Sequence, residues 1–164
     1  MKSRSIRILL VDDSPKALKV LSQILAREER VAVVGSATNG AQALRCASAL
    51  APELVLIGLH LSKLNGAQAT SRMKRWKNPP VVFMTASDES PSSRAVGETA
   101  GADAFVATST DLEVRLKSIL QKWFSPNGPR RLAHVVSNGK EPLEGRSLHL
   151  LALVSDILRP SLRD

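Results

Sequence analysis

Five times between residues 1 and 124 the chain passes from a short aliphatic run to a stretch with helical spacing of apolar residues, and few folds accept that alternation. The runs are Ile6–Val11 (apolar but for Arg7), Val31–Val34, Leu54–Ile57, Val81–Met84 and Ala104–Ala107. Short, nearly continuous apolar runs suit strands covered on both faces. After the first, Ser14-Pro15 supplies an N-cap and a proline in the opening helical turn. Leu18, Leu21, Ile24 and Leu25 then mark a helix over 15–28. Asn39-Gly40 opens a second helix, with Ala43, Leu44, Ala47 and Leu50 on one face and Pro52 ending it. The third covers Ala67–Trp76, before the breaker Asn78-Pro79-Pro80. Ser90-Pro91 begins a fourth, of small residues, stopped by Gly101. Thr110-Asp111-Leu112-Glu113 reads as a capping box. It launches a fifth helix whose Leu112, Leu116, Ile119, Leu120 and Trp123 face inward.

The pattern predicts an α/β fold: a doubly wound, five-stranded parallel sheet joined by right-handed crossovers. Such sheets place their sites beyond the carboxyl ends of the strands, at the point where strand order reverses. The side chains assigned there are Asp12 and Asp13, Thr85 and the pair Thr108-Ser109. Position 58, at the end of the third run, is glycine and contributes no side chain.

Aromatic residues are only 3% of the chain, so small aliphatic side chains must pack the core. The net charge of +8 is spread. Residues 1–124 hold 17 Lys/Arg against 11 Asp/Glu, and 125–164 hold 6 against 4, which leaves no basic tail built for nucleic acid. The lone Cys46 lies in an Ala-rich run and reads as a small buried hydrophobe. No internal disulfide can form, which fits a reducing cytoplasm. No run approaches the roughly 20 apolar residues of a membrane span. Residues 125–145, with Ser125-Pro126-Asn127-Gly128-Pro129, read as a linker between a domain at 1–124 and a C-terminal helix and tail at 146–164. The apolar positions Leu148 to Leu158 of that helix must cover something, either their own domain or a partner.

Four stretches resemble the receiver domain of two-component response regulators: Ile8–Ser14, Val55–Gly66, Val81–Ala86 and Gly101–Thr108. The resemblance covers roughly 5–124 and implies a flavodoxin-like sheet of order 2-1-3-4-5. It also implies a role for each site position. An aspartate ending the third strand takes a phosphoryl group as an acyl phosphate. Mg²⁺ is held by the acidic pair, by that aspartate and by a carbonyl, here that of His60. A hydroxyl and a lysine grip the phosphoryl oxygens, and an aromatic reports the change. Asp12, Asp13, Thr85 and the switch aromatic Phe105 are kept. Gly58 stands at the phosphoacceptor position and Thr108 at that of the lysine, while Ser62 and Ser109 replace prolines.

The expectation is therefore a pseudo-receiver, not phosphorylated on aspartate, that signals through protein contact and is not an enzyme. Asp12 and Asp13 would bind Mg²⁺ weakly or not at all. The expected partner is a protein of a signalling pathway, a histidine kinase, another regulator or a second copy, and no membrane. One alternative is a basic regulator contacting nucleic acid, for which Arg72-Met73-Lys74-Arg75-Trp76-Lys77 is the candidate patch. The plainer reading of that run is a solvated face. Another alternative is a competent receiver altered at position 58, against which the second loss at Thr108 counts.

Overall fold

The computed structural model describes residues 5–109 and 111–129. The elements run β1 (Ile6–Val11), α1 (Pro15–Ala26), β2 (Val31–Ala37), α2 (Gly40–Leu50), β3 (Leu54–Gly58), α3 (Gly66–Met73), β4 (Val81–Ala86), α4 (Pro91–Ala100), β5 (Ala104–Ala107) and α5 (Leu112–Trp123). The five strands form one parallel sheet in the order β2-β1-β3-β4-β5. The expected fold is the one observed. The chain divides into two units, 1–110 with the sheet and α1–α4, and 111–164, which opens with α5. The helix expected at 146–158 lies outside the described residues, and so does most of the linker.

Strand pleating explains how the core is built. Leu9, Val11, Val55, Ile57, Val82, Met84 and Phe105 point to one face, where they meet Ala43 and Ala47 of α2, Ala69 and Met73 of α3, and Ala100 of α4. Alanine at those contacts lets the helices lie close to the sheet. α1 packs over β1 and β2. It contributes nothing to that cluster, because the step from β1 to β2 runs opposite to the later steps and a right-handed crossover then lands on the other face.

Caps fix most helix starts where the sequence placed them. Ser14, Asn39, Asn65 and Ser90 each accept a hydrogen bond from a backbone N–H in the first turn, and Asn65 with Gln68 forms a capping box. The box expected around Thr110 involves a residue outside those described. α5 starts after Asp111, whose carboxylate accepts from Arg115 Nε (2.7 Å) instead of capping. α3 stops at Met73, earlier than Trp76. There Lys74 leaves the helix to bind Asp103 and the Pro80 carbonyl (2.9 Å).

Candidate functional site at the carboxyl ends of the strands

Each side chain of the expected site arrives on a different strand end. β1 ends at Val11, so Asp12 and Asp13 emerge beside β3, whose Ile57 is the partner of Val11. Gly58 pairs with Thr85, and Thr85 with Val106 two residues before Thr108. The register thus brings the predicted positions to one edge of the sheet, across the switch point between β1 and β3.

At Gly58 the neighbouring side chains leave a tight fit. A Cβ built there would sit 3.2 Å from Asp12 Oδ2 and 3.3 Å from Leu61 Cδ2, both tighter than ordinary contacts. The Leu61 methyl and the Asp12 carboxylate stand against the face from which a side chain at position 58 would project. Leu61 was not singled out in the sequence. Its signal there was an apolar residue inside the loop that follows β3.

The backbone holds that loop in place from both sides. Leu59 N–H donates to Thr85 O (2.8 Å), Gly66 N–H to Leu59 O (3.1 Å) and Gly40 N–H to Leu64 O (2.9 Å). Gly66 is required: a Cβ there would lie 1.9 Å from the Gly58 carbonyl oxygen. Lys63 turns the loop at φ 63°, in the left-handed region.

Asp12 serves the fold. Its Oδ1 accepts from Ser14 N–H at 2.8 Å, bracing the entry to α1. Burial pushes its carboxyl above the usual range. The Ser14 hydrogen bond opposes this, and the charge of Asp13 adds to it. Asp13 is exposed. Mg²⁺ wants near-octahedral oxygen donors, normally several carboxylates and waters. Here Asp12 Oδ1 accepts from Ser14 N–H, position 58 adds no carboxylate, and no group of three His, Cys, Asp or Glu among the described residues could hold a metal. The donor set does not fit a tightly held Mg²⁺.

Thr108 acts as a clasp: its N–H and Oγ1 both donate to Ala86 O, at 2.8 and 3.2 Å. Thr85 is buried, at 3% exposure. The β4–α4 loop beside it is tied by its own side chains, with Ser93 Oγ donating to Asp88 at 2.9 Å and Ser90 Oγ accepting from Ser93 N–H at 3.2 Å. The Ser93 and Ser90 hydroxyls hold the Asp88 carboxyl below its ordinary range, and His60 across the loop adds to this. Phe105 lies inward, its ring 3.3 Å from where a Cβ on Gly97 would be, with the Arg94 guanidinium 5.6 Å from the ring centroid. Gly97, unmarked in the sequence beyond belonging to a helix of small residues, makes the room for that ring.

The basic run near α3 is less available than its composition suggests. Lys74 is committed to Asp103, and Trp76 packs against the core cluster. That leaves Arg72, Arg75 and Lys77 on the surface. Among the described residues, no helix is long and apolar enough to cross a membrane.

Comparison with known proteins agrees with this geometry. The family model for the response regulator receiver domain matches residues 8–121. A protein-glutamate methylesterase/protein-glutamine glutaminase of Methanospirillum hungatei is 37% identical over 90 residues, which is 55% of this chain and 26% of the relative. The one of Bacillus subtilis is 31% identical over 84 residues, 51% of this chain and 24% of the relative. The chain thus spans about a quarter of the length of these curated relatives. Among solved structures, the response regulator domain of Thermotoga maritima CheB is similar at a TM-score of 0.64 and 28% identity, covering 73% of this chain and 93% of that one. The NarL signal receiver domain from Mycobacterium tuberculosis gives 0.66 and 26%, covering 72% and 95%.

Proposed function

The chain belongs to the response regulator receiver family, and from that premise we propose that it is a receiver whose phosphoryl chemistry has been retired and whose signalling runs through protein contact. One observation carries the proposal. Where the family mechanism needs a carboxylate, Gly58 offers none, and Asp12 and Leu61 crowd the position that its side chain would take. Acyl phosphate formation needs a nucleophilic oxygen with room for in-line approach of the phosphoryl group. The Thr108 clasp on Ala86 supports the same reading, since no cation at that position offsets phosphoryl charge.

Without that chemistry the module has no turnover of its own, and information must pass as binding. Its partners, on this reading, are cytoplasmic signalling proteins: a histidine kinase, another regulator or a second copy. Contact with nucleic acid ranks lower, because Lys74 is spent on Asp103 and the surface carries no separate basic tail. The test is incubation with acetyl phosphate and Mg²⁺, followed by intact mass and peptide mapping. The expected result is an unchanged mass. A phosphoryl adduct on any residue overturns the proposal.

A further inference from the structure

α3 and α4 lie side by side, and between them runs an open groove of about 550 Å³ that the retired site does not use. Its apolar lining is small: Ala67 from α3 and Ala95, Val96 and Ala100 from α4. Val96 is 46% exposed, one of few large hydrophobic residues left open on the described surface. On the α3 side stand Arg72 and Arg75, both exposed, and neither forms an ion pair among the described residues. Arg75 reaches only Ser71 Oγ, at 3.4 Å. No carboxylate lines the groove.

We propose that this groove docks an acidic amphipathic segment of a partner protein, its apolar residues against the alanines and Val96 and its carboxylates on Arg72 and Arg75. The proposal rests on the reading of the chain as a module that acts by protein contact, and it specifies where. A shallow channel between two helices, floored by small residues, suits the apolar ridge of an incoming helix. Two guanidiniums without an internal carboxylate select carboxylates, because arginine meets them with paired donors and sheds water more readily than lysine. The overall charge of +8 steers an acidic segment toward the molecule, and the two arginines fix where it stops. The 125–164 segment of the same chain, with 6 basic and 4 acidic residues, lacks the complementary charge.

The test uses the full chain, isotope-labelled, titrated at near-physiological salt with a short synthetic peptide that sets glutamates beside a leucine and alanine face. The expected result is amide shifts concentrated at 67–76 and 95–100. Binding should weaken about tenfold in Arg72→Glu/Arg75→Glu and with a peptide carrying glutamine for glutamate. Arg72→Lys/Arg75→Lys should retain most of it. Shifts spread evenly over the basic surface, no binding, an unaffected charge-reversal variant, or tighter binding of a DNA duplex at the same residues would each overturn the inference. Its failure is separable from failure of the retired-site reading: an acetyl phosphate adduct sinks that reading without touching the groove, and an inert groove leaves the unchanged mass standing.

Discussion

Replacing Gly58 with aspartate tests whether a carboxylate at that position is enough for phosphorylation. The new Cβ would crowd Asp12 Oδ2 and Leu61 Cδ2, and its carboxylate would add like charge beside Asp12. Thr108 supplies no cation to offset it. G58D should therefore lower stability by about 1–3 kcal/mol, as overpacking does, read as a shifted denaturation midpoint at unchanged slope. It should remain unlabelled by acetyl phosphate. Labelling of G58D alone would show that the lysine position is dispensable here; labelling only of Gly58→Asp/Thr108→Lys would show that both losses matter. Asp12 gives a second prediction. Its carboxyl is raised in the folded state, mainly by burial, so the folded protein binds that proton more readily than the unfolded chain. Asp12 then lowers stability as pH rises from its ordinary value of 3.8 through its raised value, and the loss persists at neutral pH. Asp12→Asn still accepts from Ser14 and carries no charge beside Asp13. It should stabilise the protein at pH 7 by less than about 1 kcal/mol, because the site is half open to solvent, with the gain vanishing below the unfolded value. Loss of stability at pH 7 would show that the charge itself braces the loop.

At the scale of elements, α3, β4 and β5 are tied by one carboxylate. Asp103 Oδ2 accepts from Val82 N–H (2.7 Å) and from Lys74, whose ammonium also reaches Pro80 O, and the two side chains are only 19% and 20% exposed. Asp103→Ala removes the acceptor of a buried N–H and the carboxylate partner of an ammonium, and should cost about 2–4 kcal/mol. Lys74→Met should cost less, since Val82 keeps its acceptor. Gly97→Ala sets two effects against each other. Alanine gains about 1 kcal/mol in a helix interior, but its Cβ would meet Met84 Sδ and Phe105 Cδ2 at 3.3 Å. The thioether can give way and the ring cannot without leaving its inward position. Strain should win by about 1 kcal/mol, with aromatic NMR signals reporting a moved Phe105; an unmoved ring and raised stability would show that the contact is slack. These ties also mark what the sequence could and could not reveal. Strand runs, caps and the order of site positions are local patterns with fixed periods, so they were legible. The clasp of Thr108 on Ala86, the approach of Leu61 to Gly58 and the early end of α3 depend on groups that meet only in the fold. Gly58 is read directly from the sequence, and only the fold shows that Asp12 and Leu61 stand beside it.

For the whole molecule, the question is whether the acidic pair has any affinity for a divalent cation, and linkage makes that measurable. A ligand that binds only the folded state at 100 times its Kd stabilises by about 2.7 kcal/mol, which in a domain of this size raises Tm by roughly 5–10 °C. Two carboxylates stand there, one of them half-buried and hydrogen-bonded to Ser14. Millimolar Mg²⁺ should therefore move Tm by no more than about 1 °C beyond sodium chloride of matched ionic strength. The salt itself should act alike with either cation, since screening relieves the repulsion of a chain at +8 without regard to ion identity. A rise of several degrees confined to Mg²⁺, and abolished in Asp12→Asn/Asp13→Asn, would mean that the acidic pair survives as a cation site. The cation would then be held without a carboxylate at position 58. A matched response to both salts leaves Asp12 with the role its hydrogen bond to Ser14 already shows: bracing the entry to α1 at the end of β1.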